Sequence, residues 1–175
     1  MADTRRAKTA LQTLLADNTT GQISAQDLRD FLVTVLGGYG CITLADGSTA
    51  QTGLSATPAK ITGFDTDGPA VGFTVDSTTN NRITVDIDCA CEVALHMSFS
   101  GSVGKEFDLH IYKSGVDTGY GMHCTLDAGG EVQPASCGGL LDCSAADYIE
   151  VYISSPDGGT SITPTDMQLI VKQIG

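Results

Sequence analysis

The sequence predicts a mainly β sandwich preceded by a small helical hairpin, and three observations carry that reading. From Ala59 onward, short runs alternate apolar and polar side chains, the period at which a strand turns one face to a core. Turn signals separate those runs: Asn80-Asn81, Gly101 to Gly104, Ser114-Gly115, Gly129-Gly130 and Asp157-Gly158-Gly159. Ahead of Gly37 the apolar residues recur instead at helical spacing.

The helical part comes first and spans residues 1–36. Ala7, Ala10, Leu11, Leu14 and Leu15 form one stripe, and Asp17, Asn18 and Gly21 supply a turn. Ser24 then stands where a hydroxyl caps a helix, with Asp27 three residues later to favour the positive helix end. Leu28, Phe31, Leu32, Val35 and Leu36 make the second stripe, and Gly37-Gly38 stops it. A hairpin of this size does not bury both stripes by itself. Leu11, Leu14, Leu15, Leu28, Phe31, Leu32, Val35 and Leu36 are therefore the candidate attachment face. A calcium loop fails on register: with Gly21 as the sixth loop position, Ala16 falls where the first ligand belongs, and the twelfth is Asp27 rather than a bidentate Glu.

Residues 37–58 mix Gly, Ser, Thr and Ala and read as a linker or extended arm with a short strand at Cys41–Leu44. Residues 59–175 hold the remaining strand candidates: 59–64, 71–75, 82–87, 92–99, 107–112, 119–126, 132–141, 148–153 and 167–174. The clearest faces are Ile83, Val85 and Ile87; Val93, Leu95, Met97 and Phe99; and Phe107, Leu109 and Ile111. About eight to ten strands at this spacing argue for a sandwich or barrel. With 6% aromatic residues and no Trp, its core rests on Val, Ile, Leu and a few Phe.

Formal net charge is −12. Residues 1–36 balance four basic groups against four acids, so the whole excess lies after them, where five basic residues meet seventeen acids. Such a surface disfavours nucleic acid. No apolar run is long enough to span a bilayer, and the N-terminus lacks the apolar core of a secretory signal, so the expected place of synthesis is the cytoplasm. The six cysteines, Cys41, Cys89, Cys91, Cys124, Cys137 and Cys143, contain no Cys-x-x-Cys pair. They read as buried free thiols, with disulfides formed later outside a cell as the other possibility.

Nothing converges on catalysis, so no enzyme, no cofactor and no metal site are expected. A Gly-x-Ser-x-Gly turn is absent, and adjacent His123 and Cys124 point to opposite sides of a strand. Among the acids, Asp86, Asp88, Glu106, Asp108 and Glu150 offer no distinguished pair. Asp86 and Asp88 share a strand face that suits calcium, but a solvated acidic face is the simpler reading. His96 and His110 lie on strands, where a hydrogen-bonded histidine is commoner than one gathered at an oligomer axis as an ion site.

Four segments carry a resemblance: NNRITVDIDCACEVALHMSFSGS, KEFDLHIYKSGVDTG, GGLLDCSAADYIEVYISSPDGGTSI and the terminal MQLIVKQIG. Over roughly residues 55–175 the chain resembles the jelly-roll domains of the complement-globular-head and tumour-necrosis-factor superfamily, in the form seen in bacteriophage and bacterial proteins. The resemblance implies a ten-stranded jelly roll assembled as a homotrimer. The segment ALQTLLADNTTGQISAQDLRDFLVTVL is similar to an N-terminal module that recurs on phage virion proteins. Together these imply a structural virion protein on the virion surface, made in the host bacterial cytoplasm. It would be a trimeric capsid decoration or head-fibre protein that docks through residues 1–36 on the major capsid protein or another virion protein. The alternative is a tail-fibre or receptor-binding protein recognising a host surface glycan, with Tyr39, Tyr112 and Tyr120 as stacking candidates. Neither reading calls for nucleic acid or membrane insertion.

Overall fold

A computed structural model describes residues 24–35, 37–127 and 131–174, with the backbone alone at positions 25, 26 and 33–35. One helix, α1 (Ala25–Val35), precedes twelve strands among the described residues. These are β1 (Tyr39–Leu44), β2 (Gln51–Leu54), β3 (Ala59–Lys60), β4 (Thr66–Val71), β5 (Phe73–Asp76) and β6 (Arg82–Val85). They are followed by β7 (Cys89–Gly101), β8 (Glu106–Lys113), β9 (Val116–Thr125), β10 (Gln133–Cys143), β11 (Tyr148–Ser154) and β12 (Thr160–Gln173).

The strands form two antiparallel sheets. The first runs β10-β7-β12-β1-β4, with β2 paired to the start of β12. The second runs β5-β6-β11-β8-β9, with β3 paired to β11. From β6 to β12 the chain crosses between sheets repeatedly, and these crossings wind the sandwich as a jelly roll. The inner faces supply the core. Val93, Leu95, Met97 and Phe99 from β7 meet Phe107, Leu109 and Ile111 from β8 and Ile149, Val151 and Ile153 from β11, all buried. Phe99 and Phe107 pack edge to face, ring centroids 6.1 Å apart.

Four findings differ from the sequence reading, each with a physical cause. The stretch 37–58, expected as a linker or arm with a short strand at Cys41–Leu44, supplies that strand as β1 and also β2, both hydrogen-bonded to β12. Twelve strands stand where the resemblance implied ten. The expected strand 71–75 is broken at Gly72, whose φ of 70° turns the chain, so that β4 and β5 fall in different sheets. Strand β12 starts at Thr160 rather than near Met167, because an extra residue between Pro164 and Asp166 breaks the alternation. Inward positions are Ile162 and Pro164 before that bulge and Met167, Leu169 and Val171 after it. The pairing with β7 continues unbroken on either side.

Glycines and Pro134 in β10 did not prevent a strand, because β10 is an edge. At Gly139 a Cβ would lie 2.4 Å from the Tyr120 ring, so the missing side chain lets that ring cross from β9. The Tyr120 hydroxyl donates to the Leu140 carbonyl at 2.8 Å, closing this side of the sandwich.

The bulge makes a paired prediction. Deleting Thr165 regularises the β7–β12 ladder and loses only the hydrogen bond that Thr165 O accepts from Gly47, costing about 1 kcal/mol. Deleting Gln168 turns Leu169 and Val171 outward and Lys172 inward. Ile170 turns inward in exchange, so the net cost is one apolar side chain, about 1.5–3 kcal/mol, plus a buried lysine charge, together comparable with the stability of a domain. Urea denaturation should give a cooperative transition for the first deletion and none for the second.

Candidate attachment and binding surfaces

The cap of α1 is reciprocal. Asp27 N–H donates to Ser24 Oγ at 3.1 Å, while Ser24 N–H donates to an Asp27 carboxylate oxygen at 3.0 Å. The Ser24 hydroxyl donates to the same oxygen at 2.6 Å. This is a capping box with Asp in the place usually taken by Glu. The helix ends at Gly37, with φ 75°, and Gln173 N–H donates to Gly38 O at 2.8 Å, which fastens the exit from the helix to the last strand.

What the helix turns outward is unusual. Leu28 is 56% exposed and Leu32 48% exposed, one turn apart on the same side, whereas Asp30 on the other side is 1% exposed. A surface helix ordinarily does the reverse. Phe31 is half-buried. Of the other expected attachment residues, Leu11, Leu14, Leu15 and Leu36 lie outside the described residues, as does the first helix of the expected hairpin, and Val35 is described as backbone only.

The outer face of the first sheet is set by register. One row reads Gly138, Ala94, Ile170 and Cys41 across β10, β7, β12 and β1, and the next reads Ser136, His96, Gln168 and Thr43. His96 Nδ1 lies 3.2 Å from Ser136 Oγ, so this histidine has a neighbour's hydroxyl as partner. Glu92 stands opposite Lys172, and exposed Leu140 and Tyr39 complete that row. The result is a face of mostly small and uncharged side chains, with Glu92 opposite Lys172 and with Asp166 beside Ser98 and Asp142 on β10 as further acids.

The outer face of the second sheet carries the aromatic residues. Tyr112 and Tyr152 stack with centroids 4.1 Å apart, and the Arg82 guanidinium sits 4.6 Å above the Tyr148 ring. Between them Glu150, buried though on the outer face, pairs with Lys60, which also donates to Asn80 O. Asp108, His110, Tyr112, Asp117 and Tyr152 line a recess of about 200 Å³. His110 bonds Asp117 at 3.0 Å and His123 bonds Asp108 at 2.8 Å. The two carboxylates thus have imidazole partners, a pairing that sequence order did not reveal. Of the tyrosines named from sequence, Tyr112 lies in this recess, Tyr120 packs over Gly139, and Tyr39 is exposed on the opposite sheet.

Asp86 and Asp88 each accept a hydrogen bond within the fold. Asp86 accepts from Thr74 Oγ1 at 2.9 Å and Asp88 from Ala145 N–H at 2.8 Å, each tying a loop to the sandwich. Among the described residues no three His, Cys, Asp or Glu side chains are placed to hold a metal ion. A longer groove of about 620 Å³ lies at the other end of β1 from the helix, along residues 44–51, Gly63, Phe64 and Pro164.

No protein-family model matches the chain, and no curated protein matches its sequence. Among solved structures it is similar to the Eiger TNF of S. frugiperda, with a TM-score of 0.54 at 11% identity over 79% of this chain and 93% of that one. At that identity the likeness is one of fold: the strand-rich part is a tumour-necrosis-factor-like jelly roll.

Two predictions follow from local geometry. Ser24→Ala removes the acceptor at the helix start and should destabilise α1 by about 1 kcal/mol, read as faster amide exchange at Asp27 with the β-sheet amides unchanged. The hydrogen bond His123 donates to Asp108, aided by the charge of Asp108 and that of Glu106, raises the pKa of His123 above its ordinary value. A raised histidine contributes stability that is fully present below the unfolded value of about 6.5 and is lost as pH rises through the folded value. An NMR titration should place the His123 midpoint above that of an exposed histidine, and Asp108→Asn should bring it back down. An unchanged midpoint would exclude the pair in solution.

Proposed function

We propose that this chain is a structural protein of a bacteriophage virion, a homotrimeric capsid decoration or head-fibre protein. In this reading its N-terminal module docks on the major capsid protein or another virion protein, and the jelly roll is displayed outward. The observation that carries the docking part is Leu28 and Leu32, held in water by a well-capped helix that buries Asp30. A pair of exposed leucines at i and i+4 is a helix-in-groove anchor lacking its groove. The helix joins the sandwich at the end where Gly38 meets Gln173, leaving the opposite end, with its groove, free for display.

The trimer part is supported by the outer face of the first sheet. Small side chains at Gly138 and Ala94 permit close approach, and Ile170, Leu140 and Tyr39 supply apolar area. A second reading, a tail-fibre or receptor-binding protein that holds a host glycan, is favoured by the recess at Tyr112 and Tyr152. There an aromatic pair adjoins carboxylate and imidazole groups suited to sugar hydroxyls.

Mass in solution should correspond to three chains; a stable monomer at micromolar concentration would overturn the trimer. Tagged protein carrying Leu28→Asp and Leu32→Asp, or lacking residues 1–36, should remain a folded trimer yet enter particles at least tenfold less than the unaltered chain. Full incorporation would overturn the docking assignment. Imaging of intact particles separates the two readings, with density on capsomers for decoration and at the tail for receptor binding.

A further inference from the structure

Three of the six cysteines converge at one end of the sandwich, and nothing in the attachment reading uses them. Cys89 and Cys91 are two apart on β7, and their sulfurs lie 3.4 Å apart. Cys143, the last residue of β10, stands directly opposite Cys89. Register places all three side chains on the inner side of the sheet, Cys143 opposite Cys89 and Cys91 two residues further along β7. Cys91 and Cys143 are buried and Cys89 is partly open to solvent. The remaining three, Cys41, Cys124 and Cys137, have no cysteine neighbour of this kind among their register partners.

We propose that Cys89, Cys91 and Cys143 form an oxidisable site that reacts with low-molecular-weight disulfides of the glutathione class and closes into a Cys89–Cys143 disulfide between β7 and β10. Geometry selects the pair. Residues directly opposite in an antiparallel ladder have Cα atoms about 4.5 or 5.5 Å apart, inside the window of about 4.4–6.8 Å that a disulfide needs. Cys91 faces Leu141, so it is diagonal to Cys143, at about 7–8 Å, beyond that window. Cys89 and Cys91 project in parallel from one strand and cannot readily take the right-angled dihedral of a disulfide.

The chemistry balances in two exchanges. The more accessible Cys89, as thiolate, attacks one sulfur of the small disulfide, forming a mixed disulfide and releasing one thiol. The Cys143 thiolate then attacks Cys89 Sγ and expels the second thiol. The protein loses two thiol protons and two electrons, and the small disulfide is reduced to two thiols. Cys143 suits the second step: the hydrogen bond from Cys91, then the charge of Lys113, lowers its pKa, and burial opposes them. Lys113 is held there by its bond to Asp142 O at 2.9 Å.

Position gives the bond a consequence. Cys91 is the register partner of Gln173, the residue that donates to Gly38 at the helix junction. The disulfide would therefore fasten edge strand β10 to β7 beside the root of the helical module. It would be open in a reducing cell interior and closed outside it. This holds whether or not the attachment reading does.

The test uses the full chain, equilibrated across ratios of oxidised to reduced glutathione, alkylated and mapped by mass spectrometry. The expected result is a fall from six free thiols to four, a Cys89–Cys143 linked peptide, and a thermal midpoint raised by roughly 5–10 °C over the reduced form. Cys143→Ser should remove the linked peptide and the thermal shift, whereas Cys137→Ser should keep both. Six free thiols at every ratio, or a linked peptide made from any other pair in the unaltered chain, would overturn the proposal. The map of the unaltered chain decides even where a variant fails to fold.

Discussion

The pairing of β7 with β12 is the constraint on which the rest depends. Both strands are long, they run side by side from Ile162 opposite Gly101 to Gln173 opposite Cys91, and both turn apolar side chains inward, β12 on either side of its bulge. Three other strands of the first sheet are placed by one of them, β10 on β7 and β1 and β2 on the free edge of β12, and β4 follows on β1. The second sheet is then positioned by what must cover those inner faces, with Phe107 meeting Phe99 across the layers. Because a slip of one residue would turn each face over, this pairing fixes the register of the core.

The strands whose two faces differ strongly were legible in the sequence. Val93, Leu95, Met97 and Phe99, or Ile149, Val151 and Ile153, leave one choice of inner side. What was not legible was anything set by a partner distant in sequence. The arm-like stretch 37–58 contains β1, whose alternation is blurred by Gly40, which lies so close to Phe73 and Ile83 that an added Cβ would be only 3.0–3.1 Å from them. The Thr165 bulge hides half of β12, and Gly72 reads as a strand residue until its positive φ is known. The His–Asp pairs and the Cys89–Cys143 facing depend on register between strands, which no local pattern encodes.

The helical module shows the same division. Its start was readable because a cap is a local device in which Ser24 and Asp27 satisfy each other's backbone donors. Which side of α1 meets solvent is a tertiary matter, and the answer reverses the usual one, with Asp30 buried and Leu28 and Leu32 in water. The neutral charge of residues 1–36 and the strongly acidic remainder are a second local contrast that composition alone made visible.

That excess bears on how copies could meet. Four of the five basic residues after position 36 have a partner within the fold, and the fifth stands opposite an acid across the ladder. Lys60 pairs with Glu150, Lys105 with Asp157 at 3.5 Å, Lys113 with Asp147 at 3.5 Å, Arg82 covers Tyr148, and Lys172 faces Glu92. Few are left over to bridge neighbouring acidic surfaces, so association of copies would favour a face where charge is scarce. The outer side of the first sheet meets that need, for its two central rows, from Gly138 to Cys41 and from Ser136 to Thr43, contain no acid. The second sheet does not, since Asp108, Asp117 and Glu150 line its outer side. Repulsion between copies acts over a screening length of about 8–10 Å at ordinary salt. Assembly through the first sheet would keep the acidic sides apart and turned to solvent, leaving the Tyr112–Tyr152 recess open on the outside of the assembly.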